Sequence, residues 1–218
     1  MEKMPFDPYD FFGYLASGLL IAAGMQIVLG FPQILGKDLK LMDTLFLLLG
    51  VYVAGQIAAT PAKALLEDLI VDKLLGRPSV NLLREKRPLL SGALFPGFYK
   101  PLPKQVRMRL VEKSGNEGVS GKGEALFLHI RYCPRVLQNE KLMQRLDRFL
   151  SKYGFSRNLS FTSLATGSAL LWKGMRTPTP YILSYGATSI FVGVMLFYRY
   201  LKFFRQYSYE LFNVYAGD

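Results

Sequence analysis

Four stretches of this chain carry no Asp, Glu, Lys, Arg or His: residues 11–36, 44–62, 158–172 and 177–198, each bounded by charged residues. A hydrocarbon slab of ~30 Å needs about 20 mainly apolar helical residues. Three of the stretches meet that length, and 158–172 falls short. They come in two pairs, joined by residues 37–43 and 173–176, connectors too short to hold a domain. The fold expected is an all-α membrane protein, with two transmembrane helical hairpins flanking a helical cytoplasmic insert. Residues 1–62 form the first hairpin, with spans at about 11–31 and 44–62. Residues 63–157 form the insert, and 158–218 the second hairpin, with spans at about 156–174 and 179–199 and an aromatic, basic C-terminal tail.

Charge is concentrated between the hairpins. Of a formal net charge of +11, residues 63–157 supply 19 Lys and Arg against 9 Asp and Glu. Basic residues close to span ends favour the cytoplasmic side. Lys63, Lys73, Arg77, Lys152 and Arg157 therefore place the insert and both termini in the cytoplasm, against Lys173 and Arg176 in the second connector. Glu2, Lys3, Asp7 and Asp10 precede a first stretch too long for a cleavable signal, so it reads as a retained anchor. Cys133 is the sole cysteine, so no disulfide forms within the chain.

Tyr9, Phe11, Phe12 and Tyr14 crowd the start of the first span, where aromatic rings favour headgroups. Beyond the second span, Leu65, Leu66, Leu69, Ile70 and Leu74 keep a helical repeat up to the stop at Gly76, Arg77 and Pro78. Residues 84–103 read as irregular, either a headgroup-level loop or a packed connector. Residues 104–113 lean to helix, 114–123 to a glycine-rich connector, and 124–132 to helix. Residues 136–153 are amphipathic, with Leu142, Met143, Leu146, Phe149, Leu150 and Tyr153 on one face, and end at Gly154. The short third span carries Ser160, Thr162, Ser163, Thr166 and Ser168, which suits burial among the other spans better than contact with lipid. The tail, with Tyr200, Phe203, Phe204, Tyr207, Tyr209 and Phe212 beside Arg199, Lys202 and Arg205, is expected to continue the helix along the inner headgroups.

Small residues recur at four-residue steps: Gly50 with Ala54, Gly55 with Ala59, Ser163 with Gly167, Ser189 with Gly193. Such pairs let helices approach closely, within one chain or between copies in a homo-oligomer. Gln26 and Gln56 are the amides inside the first hairpin. An unpaired amide in hydrocarbon costs several kcal/mol, so each is expected to bond across helices. The glycine-rich segment fails as a phosphate loop, because Asn116 and Gly123 stand where that pattern needs Gly and Ser or Thr. His129 and Cys133 lie one turn apart but lack a second ligand pair, so no metal, cofactor or catalytic residue is expected. Arg84, Lys86, Arg87, Lys100, Lys104, Arg107 and Arg109 form a basic run broken by Glu85. It suits the anionic lipid of the inner leaflet, an acidic cytosolic protein partner, or a nucleic acid or nucleotide messenger.

The run Asp7-Pro8-Tyr9-Asp10-Phe11-Phe12-Gly13-Tyr14, with Tyr153-Gly154-Phe155-Ser156-Arg157-Asn158, resembles uncharacterised bacterial four-span inner-membrane proteins. That resemblance implies a bacterial inner membrane and no chemistry. In layout the chain also looks like membrane components of anti-phage defence systems. The function expected is a non-enzymatic oligomeric protein that couples a cytosolic partner or signal to the membrane, as a defence effector or sensor that opens or disturbs the bilayer. A passive scaffold for a cytosolic complex and a small-solute transporter are the other readings. The uncharged spans argue against the last, since a proton-coupled carrier needs an intramembrane titratable group.

Overall fold

The computed structural model describes residues 8–30, 40–84, 88–119 and 123–217, and all secondary structure among them is helical. In chain order the helices are α1 (Pro8–Leu29), α2 (Leu41–Ala62), a π-helical segment (Lys63–Leu75), α3 (Pro78–Leu83), α4 (Leu89–Leu94), α5 (Lys104–Asn116), α6 (Gly123–Tyr132), α7 (Pro134–Leu137), α8 (Glu140–Arg176) and α9 (Pro180–Gly217). Three helical stretches are long and apolar enough to cross a membrane: Phe11–Leu29, Leu41–Leu83 and Pro180–Gly217. The stretch 158–172 is not among them; it lies inside α8, which runs unbroken from the amphipathic segment through Gly154.

Contacts divide the chain into two compact units. Unit 1 comprises Met1–Leu69 and Gly154–Tyr200, and unit 2 comprises Ile70–Tyr153 and Leu201–Asp218. In unit 1, α1 and α2 pack antiparallel, with Tyr14 level with Gly55 and Gly18 level with Val51. The same unit wraps the hydroxyl-rich part of α8. Ser156, Asn158, Ser160, Thr162, Ser163 and Thr166 are buried there. Ser160 Oγ donates to the carbonyl of Gly193 at 2.8 Å, and Ser189 Oγ donates to the carbonyl of Ser163 at 2.8 Å.

Two residues past Pro61, which has no N–H to donate, the turns of the second long helix widen into the π-helical segment. Its end is well capped. Gly76 adopts φ +77, a left-handed conformation that suits glycine and ends the helix. The last carbonyls, which a helix leaves without internal donors, are then met by side chains. Asn81 Nδ2 donates to the carbonyls of Leu75 (3.1 Å) and Gly76 (2.8 Å), and Tyr99 Oη donates to Leu75 at 2.8 Å.

Unit 2 has a core of its own, built from Leu82, Leu102, Leu110, Leu126, Ile130, Val136, Leu142 and Leu146 together with Tyr207, Leu211, Phe212 and Tyr215. The C-terminal aromatics thus differ from the headgroup-level tail expected from sequence. They continue α9, but inside this core, because Tyr207, Leu211 and Tyr215 fall on one helical face that packs with α5, α6 and the start of α8. Phe98 and Tyr99 are buried here too, so their part of 84–103 is a packed connector. Phe212→Ala is expected to cost unit 2 about 3–5 kcal/mol, the usual range for emptying a buried aromatic site. Chemical denaturation followed by near-ultraviolet dichroism would measure it; a tail lying on headgroups would lose almost nothing.

Candidate functional site

Five of the seven residues of the basic run are described. Arg84, Lys100, Lys104 and Arg109 are exposed and form no ion pair among the described residues, whereas Arg107 is half-buried. Lys86 and Arg87 lie outside the described residues. On α5, two residues turn the helix by about 200°, so Arg109 projects away from the side that carries Arg107.

In unit 1 the small-residue pairs take different roles. A Cβ on Gly55 would lie 1.8 Å from the carbonyl oxygen of Tyr14, and one on Gly18 would lie 1.8 Å from that of Val51. Only glycine permits that approach. Gly18, which sequence spacing did not single out, is the reciprocal half of the contact. Gly167 faces the backbone of Gly186 and Ile190, and Gly193 faces Leu164, so the pairs with Ser163 and Ser189 join α8 to α9. Gly24 meets Thr166 and Gly13 meets Phe155, joining α1 to α8. A Cβ on Gly50 would meet nothing within 4 Å; with Ala54 it is a small-residue pair whose glycine faces open space.

The α1–α2 register also relocates the glutamines. Gln56 stands level with Gly13 and Gln26 level with Asp43, so each lies near an end of the helix pair. Gln56 is exposed, and its Nε2 donates to Tyr52 Oη at 3.1 Å, one turn back on its own helix. The cross-helix bond expected of it is replaced by this local one. Ala59 is partly buried beside the Gly55 contact.

Three ionic arrangements emerged that spacing could not reveal. Arg157 Nη1 meets Glu67 Oε2 at 2.5 Å, with side chains 13% and 17% exposed, and Nε and Nη2 both reach Asn158 Oδ1 at 3.3 Å. Lys173 Nζ donates to the carbonyls of Ile27 (2.7 Å) and Val28 (2.9 Å), at the end of α1 where free carbonyls and the helix dipole attract a cation. In unit 2, Glu117 Oε2 accepts from His129 Nε2 and from Tyr215 Oη, each at 2.7 Å. Lys113 Nζ lies 4.8 Å from the Tyr215 ring centre and donates to that residue's carbonyl at 2.9 Å. His129 is therefore partnered by a carboxylate twelve residues back and does not pair with Cys133; no cluster of three metal-ligating side chains occurs among the described residues.

Bonds from His129 and then Tyr215 hold the Glu117 carboxyl below its ordinary value of 4.5. A depressed carboxylate stabilises the fold above its unfolded pKa, and that contribution disappears as pH falls through the lower folded one. Protection of amides near Tyr215 is therefore expected to weaken below about pH 4.5, with Glu117→Gln removing the pH step. Hydrogen exchange across that range would read it. No known protein family, curated protein or solved structure matches the chain.

Proposed function

We propose that this is a non-enzymatic, multi-pass membrane protein that holds a basic helical unit at the cytosolic face and couples a protein partner there to lipid-embedded helices. The observation that carries the membrane reading is the inverted polarity of unit 1. Leu41, Phe46, Leu49, Ile57 and Phe191 are 59–75% exposed, while Ser160, Thr162, Ser163 and Thr166 of α8 are buried. In water each such side chain forgoes about 1.5–3 kcal/mol of burial. Surrounded by acyl chains, it forgoes nothing.

On this reading α1 and α2 are the first hairpin, and α8 and α9 supply the second. The 15 uncharged residues of α8 reach only ~22 Å. They serve as a span because α1 and α9 cover their polar face and because Lys173 is held by the end of α1. That contact also accounts for Lys173, one of the two basic residues that opposed the charge-based orientation. Lys63, Lys73 and Lys152 then keep unit 2 on the inner side, with the exposed charges of Lys104 and Arg109 turned to an acidic partner. An oligomer would use the open Gly50 face of α2. The bacterial setting rests on the sequence resemblance, and the geometry does not bear on a defence role.

Two measurements test the reading. Alkaline carbonate washing should leave the chain in the membrane pellet, and a cytoplasmic reporter inserted at Gly118 should be active. Release into the supernatant, or activity only of an external reporter, would reject it.

A further inference from the structure

Residues 82–102 leave and rejoin unit 2 at a closed base. The Leu102 N–H donates to the Leu82 carbonyl at 2.9 Å, and both side chains are buried. Phe98 and Tyr99, 4% and 2% exposed, pin the returning limb, and the Tyr99 bond to Leu75 holds it further. Between these anchors lies α4. It carries Leu90, at 86% the most exposed large hydrophobic among the described residues, and one turn later Leu94 at 63%. Side chains four apart share a helix face.

Among the described residues, nothing in the packing of unit 2 calls for leucine at position 90. A side chain so exposed stands clear of its surroundings and forms no pocket, so a protein partner would have to supply the whole cavity. Acyl chains close around any convex apolar tip. The charges that flank α4 in the chain match that occupant: Arg84 precedes it and Lys100 follows it, both exposed and without an ion pair among the described residues. Basic residues near an anionic leaflet are attracted to its phosphates, and apolar side chains of an interfacial helix sink just beneath them.

We infer that α4 is a lipid-contacting tip, with Leu90 and Leu94 entering the interfacial layer of an anionic bilayer while Arg84 and Lys100 meet its phosphates. The inference rests on the membrane reading above and adds a second, peripheral attachment through unit 2. It makes the basic flank a lipid site and leaves Arg109, on α5, for other partners.

The test uses the whole chain in vesicles, with C133S removing the native cysteine and Leu90→Cys carrying an environment-sensitive fluorophore. In vesicles containing phosphatidylglycerol its emission should be blue-shifted and quenched by nitroxide-bearing lipids. The same label at exposed Gln138 should stay water-like. Adding Leu94→Glu should lower the lipid-inserted population about tenfold, and purely zwitterionic vesicles should lower it as well. If C133S does not fold, Leu90→Trp in a W172F background gives the same readout. Water-like emission at position 90 in both lipids, from a chain that resists carbonate, overturns the tip and leaves the membrane reading intact. A blue-shifted label that lipid-borne quenchers cannot reach overturns it in favour of a protein cover. Release by carbonate removes the membrane reading, and this inference with it.

Discussion

A leucine at Gly18 or at Gly55 is expected to force α1 and α2 apart. Inserting methylenes into a packed site ordinarily costs about 1–3 kcal/mol, because neighbouring side chains can shift. Here the obstacle is a backbone carbonyl 1.8 Å from the added Cβ, and it cannot turn aside alone without losing its own intrahelical hydrogen bond. The loss should therefore exceed about 3 kcal/mol and show as a collapsed unfolding midpoint in detergent, or as a chain that is degraded. Gly50→Ala supplies the contrast. Nothing lies within 4 Å of its Cβ, and alanine is the better helix former by about 1 kcal/mol, so the variant should be as stable as the parent or slightly more so. Equal damage at positions 18, 50 and 55 would mean that the α1–α2 register is wrong.

That contrast also marks how far the sequence could be read. Gly50 and Gly55 each begin a small-residue pair and look alike, because spacing identifies a smooth face but not what covers it. Gly18 has Ala22 four positions on, a further pair of the same kind, and its role appears only when Val51 is opposite. The hydroxyls of 158–172 were legible as a face unsuited to lipid, since composition alone sets that preference. The tail was harder. Aromatic and basic residues together suit headgroups and soluble cores equally. In this tail, however, the basic residues stop at Arg205, and beyond it Tyr207, Leu211, Phe212 and Tyr215 recur at helical steps around the single charge of Glu210. That order separates a snorkelling stretch from a core-facing one. The Glu117–His129 pair had no local signal at all, because its partners are brought together by the turn between α5 and α6.

The second large effect concerns Arg157 and Glu67. Both lie in unit 1, where their charges are mostly removed from water and spent on each other and on Asn158. Removing one partner of such a pair leaves the other charge largely desolvated and without this counter-ion, typically a loss of about 3–5 kcal/mol. Arg157→Met and Glu67→Gln should each lower stability on that scale, measured by unfolding in mixed micelles. The double variant should recover most of it, because two neutral side chains carry no stranded charge and the desolvation that the pair endured disappears. The coupling from the double-mutant cycle is thus expected to be large and of compensating sign. Additive losses would mean that the two groups act through separate contacts. The same pair bears on topology. An arginine just before the uncharged part of α8, tied to a glutamate just past α2, keeps both helix ends at one level of unit 1. Two charges are tolerable at a membrane boundary and costly within hydrocarbon, so on the proposed membrane reading they would hold the surrounding helices at a fixed depth.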